Sequence, residues 1–185
     1  MEFIEVSGYL IRLMLQVLRG VPVLKALLVK PNGDNVIVTL REPPEWLHIG
    51  ARLECKCIAL EDGSGVVAEY VSESKRLDPV KTIELEVEEV KEALDGSLLV
   101  SGRRGDGRYF STRLNPRQKL GDLRAGDRVV GLFTERGAIQ NLLAVVPVNE
   151  LHLFERLNNL LGDVMRAQEE HPEDEYLSNA LDEIK

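Results

Sequence analysis

A short pattern that occurs twice is the strongest constraint that this sequence places on its fold. A glycine turn, an apolar run, a tight polar turn and a second apolar run follow one another at residues 47–71 and again at residues 123–146. The two turns contain Gly50 and Gly126. Short apolar runs separated by turn residues are typical of β-hairpins. The repeat therefore predicts two small β modules in tandem.

The segments around the two copies divide the chain into three parts. We expect an N-terminal apolar segment and a first small β-barrel in residues 1–74, a second OB-like β-barrel in residues 80–147, and an acidic helical tail in residues 148–185. The polar stretch before residue 80 reads as a short linker. The predicted fold class is mainly β, with two tandem small barrels, OB-like or SH3-like, and a C-terminal amphipathic helical tail.

The second module matches the OB layout in its spacing of strands. Its first strand alternates Ile83, Leu85 and Val87 with glutamates, and its third strand runs through residues 109–112. A longer connector follows the third of its five predicted strands, as in an OB barrel. This is a match of layout without a sequence fingerprint, and an SH3-like barrel is the alternative.

Residues 8–19 fit two kinds of structure. Arg12, Gln16 and Arg19 fall at positions i, i+4 and i+7, which would place one polar stripe along a helix. A long buried strand is the alternative, because a short apolar run does not separate the two structures.

Composition narrows the class of protein. No stretch reaches 18 uncharged apolar residues and the N-terminus lacks the basic start of a signal peptide, so we expect a cytoplasmic protein without membrane contact. Cys55 and Cys57 lie two residues apart and point to one face of a predicted strand. Three scattered histidines do not supply the further ligands that a metal needs. We therefore predict two core thiols, no metal site and no cofactor.

The charge of residues 101–128 departs from that of the whole chain. This basic segment holds eight basic and three acidic side chains, a net charge of +5 in a chain of −8. Cations for phosphates and aromatic rings for bases are what single-stranded nucleic acid needs. The candidate contacts for a ligand or nucleic acid are Arg103, Arg104, Arg108, Tyr109, Arg113, Arg117 and Lys119. The structural alternative pairs these arginines with the glutamates of residues 83–92 and places Phe110 in the core.

The tail offers a second candidate surface. Its apolar residues follow helical spacing after Pro147, and residues 148–185 carry ten acidic and three basic side chains. The candidates for self-association or partner contact are Leu153, Phe154, Leu157, Leu160, Leu161 and Val164. Docking of this apolar face on the chain's own barrels is the alternative.

No motif for hydrolysis, metal-assisted catalysis or phosphate binding is present in the sequence. We therefore expect a non-catalytic binding or scaffold protein rather than an enzyme, with the second barrel as its ligand or partner surface. It would form a homo-oligomer or bind a protein partner through the C-terminal helices. One alternative is an OB-type single-stranded nucleic-acid-binding protein that uses the basic segment. Another is a small-oxyanion binder in which arginines meet between paired barrels.

Overall fold

The computed structural model of the chain is mainly β. The structure describes residues 3–18, 21–41, 43–60, 65–115, 122–136, 139–151, 155–157, 159, 163, 166 and 170. These residues form ten strands, namely β1 (Ile4–Leu18), β2 (Val21–Val29), β3 (Asn35–Leu40), β4 (Arg52–Ala59), β5 (Val66–Glu73), β6 (Val80–Glu92), β7 (Leu98–Arg104), β8 (Tyr109–Leu114), β9 (Arg128–Arg136) and β10 (Ile139–Pro147).

The first five strands close into a barrel in the order β1-β2-β3-β5-β4. Neighbouring strands are antiparallel except at the closing seam, where β3 and β5 run parallel and Val38 lies opposite Val66. Strand β1 is long enough to pair with β4 through its first half and with β2 through its second half. The apolar N-terminal segment is therefore a strand of the first barrel.

The strand β1 decides the ambiguity at residues 8–18 against the helix. Its register shifts between Leu10 and Arg12, which marks a β-bulge. Leu10 and Ile11 are consecutive and both buried, because the bulge moves the inward face by one residue. The bulge hides the two-residue period of the strand, and this explains why the sequence pattern fitted a helix as well.

Each copy of the repeated glycine turn is anchored at such a bulge. The N–H of Gly50 donates to the carbonyl of Leu10 over 2.7 Å, and the N–H of Gly126 donates to the carbonyl of Val87 over the same distance. The φ angles of the two glycines are 89° and 91°. A left-handed backbone of this kind favours glycine. The sequence repeat therefore corresponds to one structural feature, a left-handed glycine turn hydrogen-bonded to a β-bulge. Each module contains one copy of it.

The second module is a curled, open sheet in the described part of the chain. Its strands lie in the order β10-β9-β6-β7-β8, and all of its neighbours are antiparallel. The first module closes between its third and fifth strands, whereas the described residues of β8 and β10 form no ladder with each other. The prediction of a barrel is thus confirmed for the first module. The described residues of the second module form an open sheet with two edge strands, β8 and β10.

The two modules share a hydrophobic core. The core of the first barrel includes residues from the last two strands of the second module, namely Leu132, Leu143, Ala144 and Val146. A smaller core fills the concave side of the second sheet and consists of Leu85, Val87, Val100, Leu114, Val129 and Val145. The predicted linker is also fixed to the barrel, since the Tyr9 hydroxyl donates to the Asp78 carbonyl over 3.1 Å and the Arg52 guanidinium donates to the Leu77 carbonyl over 3.2 Å.

The two cysteines lie inside the first barrel, as their spacing predicted. Both are free thiols with no exposed surface. Burial, together with the neighbouring Cys57, raises the pKa of the Cys55 thiol to about 12. Nucleophilic chemistry of cysteine requires the thiolate. These side chains therefore act as packing residues at neutral pH.

Helical backbone begins at Val148, directly after β10. Leu151 and Leu157 pack against the core of the first barrel, and the guanidinium of Arg12 contacts the carboxylate of Glu150 over 2.8 Å. Of the predicted association residues only Leu157 is described, and it is half-buried. The other five, Leu153, Phe154, Leu160, Leu161 and Val164, lie outside the residues whose side chains are described. No helix among the described residues is long and apolar enough to cross a membrane.

Candidate functional site

Three of the predicted contact residues come together on the convex side of the second sheet. In the ladder between β6, β7 and β8, Glu86 lies opposite Arg103 and Arg103 lies opposite Tyr109. Alternate residues of a strand share a face. The convex side, called the outer face below, therefore carries Glu86, Glu89, Lys91, Leu99, Ser101, Arg103, Tyr109, Ser111 and Arg113.

The outer face has small side chains at its centre and larger side chains toward its margins. Ser101 lies opposite Ser111 in the middle of the β7–β8 hairpin. Arg103 and Tyr109 form the next row toward the hairpin turn. The row on the other side pairs Leu99 with Arg113. Tyr109 and Leu99 are 64% and 46% exposed. Small hydroxyl side chains thus separate two rows that each combine an apolar or aromatic group with a cation.

Two arginines of the basic segment are paired with glutamates of β6. The Nε of Arg103 lies 2.9 Å from Oε1 of Glu88, and Nη2 of Arg128 lies 3.1 Å from Oε2 of Glu84. This is the pairing that the structural alternative predicted for the basic segment. Phe110 is half-buried and packs against the core of the second sheet, also as that alternative predicted.

Arg113 is held by the turn between β6 and β7. Its Nε donates to the hydroxyl of Ser97 over 2.7 Å, and its Nη2 lies 2.5 Å from a carboxylate oxygen of Asp95. The Ser97 hydroxyl and the Arg113 guanidinium hold the pKa of the Asp95 carboxyl well below its usual range. On the same face, a hydrogen bond from Lys91 to Glu89 raises the pKa of the Lys91 ammonium, and the nearby Tyr109 adds to the increase.

Arg104 and Arg108 lie at the turn between β7 and β8, where both approach Asp106. Their Nε atoms are 3.7 and 3.8 Å from a carboxylate oxygen of Asp106. Arg104 is opposite Leu85 in the ladder and so is turned away from the outer face. Its Nε is buried without a hydrogen-bond partner among the described residues. It lines a cleft of about 250 Å³ together with Glu84, Glu86, Arg103 and Arg128.

The described residues of the basic segment therefore lie in three places. Arg103, Tyr109 and Arg113 share the outer face, Arg108 lies at the exposed turn, and Arg104 lies in the cleft that Arg103 and Arg128 also line. Arg117 and Lys119 lie outside the described residues. Five described arginines of the segment each contact a carboxylate, at Glu84, Glu88, Asp95 or Asp106. The charge of these five arginines is thus offset in space by carboxylates of β6 and of the turns.

The outer face also contains residues that the sequence reasoning missed. Leu99, Ser101 and Ser111 lie there, and Leu94 is fully exposed in the adjoining turn. The sequence does contain a signal for Leu99, Ser101 and Ser111. Each lies two or four positions from Arg103 or Tyr109 on a strand already predicted, and such residues share one face of the strand. The hairpin register that brings Ser101 opposite Ser111 has no comparable signal in the sequence.

The outer face offers guanidinium and hydroxyl donors beside an aromatic ring and an apolar side chain. Within the described part of the chain, no three His, Cys, Asp or Glu side chains are grouped closely enough to hold a metal ion. No protein-family model matches the sequence. No curated protein matches it at a significant level. The interpretation of the face therefore depends on its own residues.

We expect the ion pair between Asp95 and Arg113 to make a pH-dependent contribution to stability. We expect Asp95→Asn to lower the melting temperature at neutral pH, because Arg113 loses its charged partner. The pKa of Asp95 is depressed in the folded state, so its contribution is full above the ordinary carboxyl value of 3.8 and is lost as the pH falls through the lower folded-state value. Thermal denaturation between pH 2.5 and 7 measures this. A difference between the two proteins that stays constant below pH 3.8 would contradict it.

Proposed function

We propose that this chain is a non-catalytic, self-associating scaffold protein made of two OB-type modules, in which the second module presents the surface for protein partners. The strand orders support the OB assignment. The first barrel has the order 1-2-3-5-4 with a parallel closing pair, and the second sheet repeats this connectivity without the closing pair. The first module then acts as the support, since its end is covered by β9 and β10.

One observation favours a protein over a polyanion, such as a nucleic acid, as the partner of this surface. The exposed Tyr109 and Leu99 lie among arginines that are each paired with a carboxylate. A surface with aromatic and apolar groups among balanced charges is typical of protein interfaces. A nucleic acid would have to displace the carboxylates before it could use the same cations, which lowers its affinity.

Sedimentation velocity over a range of protein concentrations tests the self-association. We expect the weight-average mass to rise above that of one chain as the concentration increases from about 5 to about 500 µM, a range suited to weak interfaces. A mass of one chain at every concentration would contradict the proposal. The variant Leu161→Glu shows whether the tail contributes, because it removes an apolar side chain from the predicted tail face, whereas Leu157 already packs against the first barrel.

Single-stranded nucleic acid is the second candidate ligand, and the exposed ring of Tyr109 opposite Arg103 supports it. Fluorescence anisotropy with a labelled oligonucleotide at low salt separates the two functions. The scaffold proposal predicts a flat titration. The alternative predicts binding that weakens steeply with salt and is lost when Arg104, Arg108 and Arg113 become alanine.

A small oxyanion is the third candidate ligand. The buried Nε of Arg104 supports it, since a buried donor without a partner is costly and an oxyanion would satisfy it. The lining carboxylates Glu84 and Glu86 oppose an anion in the same cleft. Thermal stabilisation by sulfate or molybdate that is lost in Arg104→Met would support this function over the scaffold.

A further inference from the structure

The outer edge of β8 is open in the described part of the chain, and this has consequences for assembly. On its other side β8 forms a regular antiparallel ladder with β7. In the first barrel the corresponding strand β3 is covered by β5. An uncovered strand edge presents unpaired N–H and carbonyl groups that accept another strand.

The direction of the peptide groups along β8 follows from the hairpin. The N–H of Arg104 donates to the carbonyl of Arg108 over 2.8 Å, so this pair is hydrogen-bonded across the hairpin. Bonded and non-bonded pairs alternate in an antiparallel ladder. Tyr109, Ser111 and Arg113 are therefore non-bonded toward β7, and their N–H and carbonyl groups point to the open edge. These residues also have their side chains on the outer face.

We propose that β8 pairs in antiparallel orientation with β8 of a second copy of this chain, with the two-fold axis at Ser111. This inference rests on the proposed self-association and names the interface responsible. Antiparallel pairing about Ser111 places Ser111 opposite the same residue of the second copy. Tyr109 then lies opposite Arg113 of the second copy, and the reverse pair forms on the other side of the axis.

The sequence of the strand is complementary to itself in this register. Each aromatic ring of Tyr109 meets a guanidinium, which gives two cation–π pairs across the dimer. Arg113 is already oriented by Ser97 and Asp95, so little further order is needed when the ring packs on it. The small Ser111 side chains let the two strands meet at the axis without a steric conflict. On the inner side, Phe110 would lie opposite Thr112.

The pairing also satisfies the backbone. Tyr109, Ser111 and Arg113 alternate along β8, so the peptide groups of all three point to the open edge. In this register each of them forms a hydrogen-bonded pair with a residue of the second copy. The two five-stranded sheets then become one continuous ten-stranded sheet. The contact is small for a specific interface, so we expect a dissociation constant on the order of 10 µM.

Opposite charges at Ser111 test this register directly. Ser111→Lys and Ser111→Glu each place two like charges opposite each other at the axis, which destabilises a cross-strand pair. We expect each variant alone to dimerise at least about 30-fold more weakly than the unmodified chain. An equimolar mixture of the two variants places Lys opposite Glu, and we expect it to recover dimerisation as a heterodimer. Sedimentation velocity measures all of these masses.

Ser101→Lys is the matched control, because Ser101 lies beside Ser111 on the same face but one strand away from the edge. It should leave the dimer unchanged. Association that persists in both Ser111 variants would overturn the β8 interface while leaving self-association intact. Variants that are monomeric alone and also in the mixture would overturn the register. A chain that is monomeric without any substitution would overturn the proposed self-association as well as the β8 interface.

Discussion

Gly102→Ala is expected to destabilise the protein by about 3 kcal/mol or more, among the largest effects of any single methyl addition here. A Cβ atom at position 102 would lie 1.9 Å from the carbonyl oxygen of Glu86 and 2.9 Å from the amide nitrogen of Glu88. Both atoms belong to the backbone of the β6 bulge and so cannot swing aside as a side chain would. The register shift between Val87 and Glu89 marks this bulge, and Val87 lies opposite Gly102 in the ladder.

Urea denaturation of Gly102→Ala and Gly105→Ala measures the effect with a matched control. At Gly105, three residues along the same hairpin, an added Cβ would lie 3.8 Å from its nearest neighbour, which is an ordinary contact. We therefore expect Gly105→Ala to stay within about 0.5 kcal/mol of the unmodified chain. Equal stabilities of the two variants would show that the bulge relaxes at little cost and would contradict the prediction.

Gly50→Ala is expected to have the second large effect, and Gly126→Ala provides its control. Both glycines have a left-handed backbone, so alanine costs about 1–2 kcal/mol at either position. A Cβ at Gly50 would also approach the Cδ2 atom of Leu132 to 2.9 Å, whereas a Cβ at Gly126 meets no atom of the described residues within 4 Å. Leu132 is buried in the shared core and has little room to move.

The difference between these two variants reports on the contact between the modules. We expect Gly50→Ala to be less stable than Gly126→Ala by about 1 kcal/mol or more, because only the first turn packs against the second sheet. The free energy of unfolding from urea denaturation gives both values under the same conditions. A Gly126→Ala variant that is the less stable of the two would contradict the packing described for Gly50.

The regular parts of the fold were predictable from local patterns. The alternation at Ile83–Val87 and the turns around Gly50 and Gly126 correctly indicated strands and hairpins in a mainly β chain. The closure of the first barrel was not predictable in detail, because the parallel contact between β3 and β5 joins residues that are far apart in sequence. The bulge near Leu10 made β1 hard to recognise as a strand, because a one-residue shift interrupts the two-residue period of its inward side chains.

The candidate site was predictable only as a set of residue types. The sequence drew attention to Arg103, Tyr109 and Arg113, and these three do share a face. The carboxylates that pair with the arginines come from β6 and from two turns, so the local charge of residues 101–128 gave no measure of the charge at the surface. Pairing across strands depends on register, and register depends on bulges that single-sequence patterns do not reveal.

The hydrophobic core that the two modules share also limits the order in which the chain can fold during protein synthesis. The barrel formed by β1 to β5 needs Leu132, Ala144 and Val146 to complete its core, and these residues are translated long after β5. The β1–β2 hairpin can form early because its contacts are local, but β1 must wait for β4 to protect its other edge. We therefore expect the apolar N-terminal strand to stay partly uncovered on the ribosome until β4 has been synthesised, and exposed strand edges of this kind are prone to aggregate.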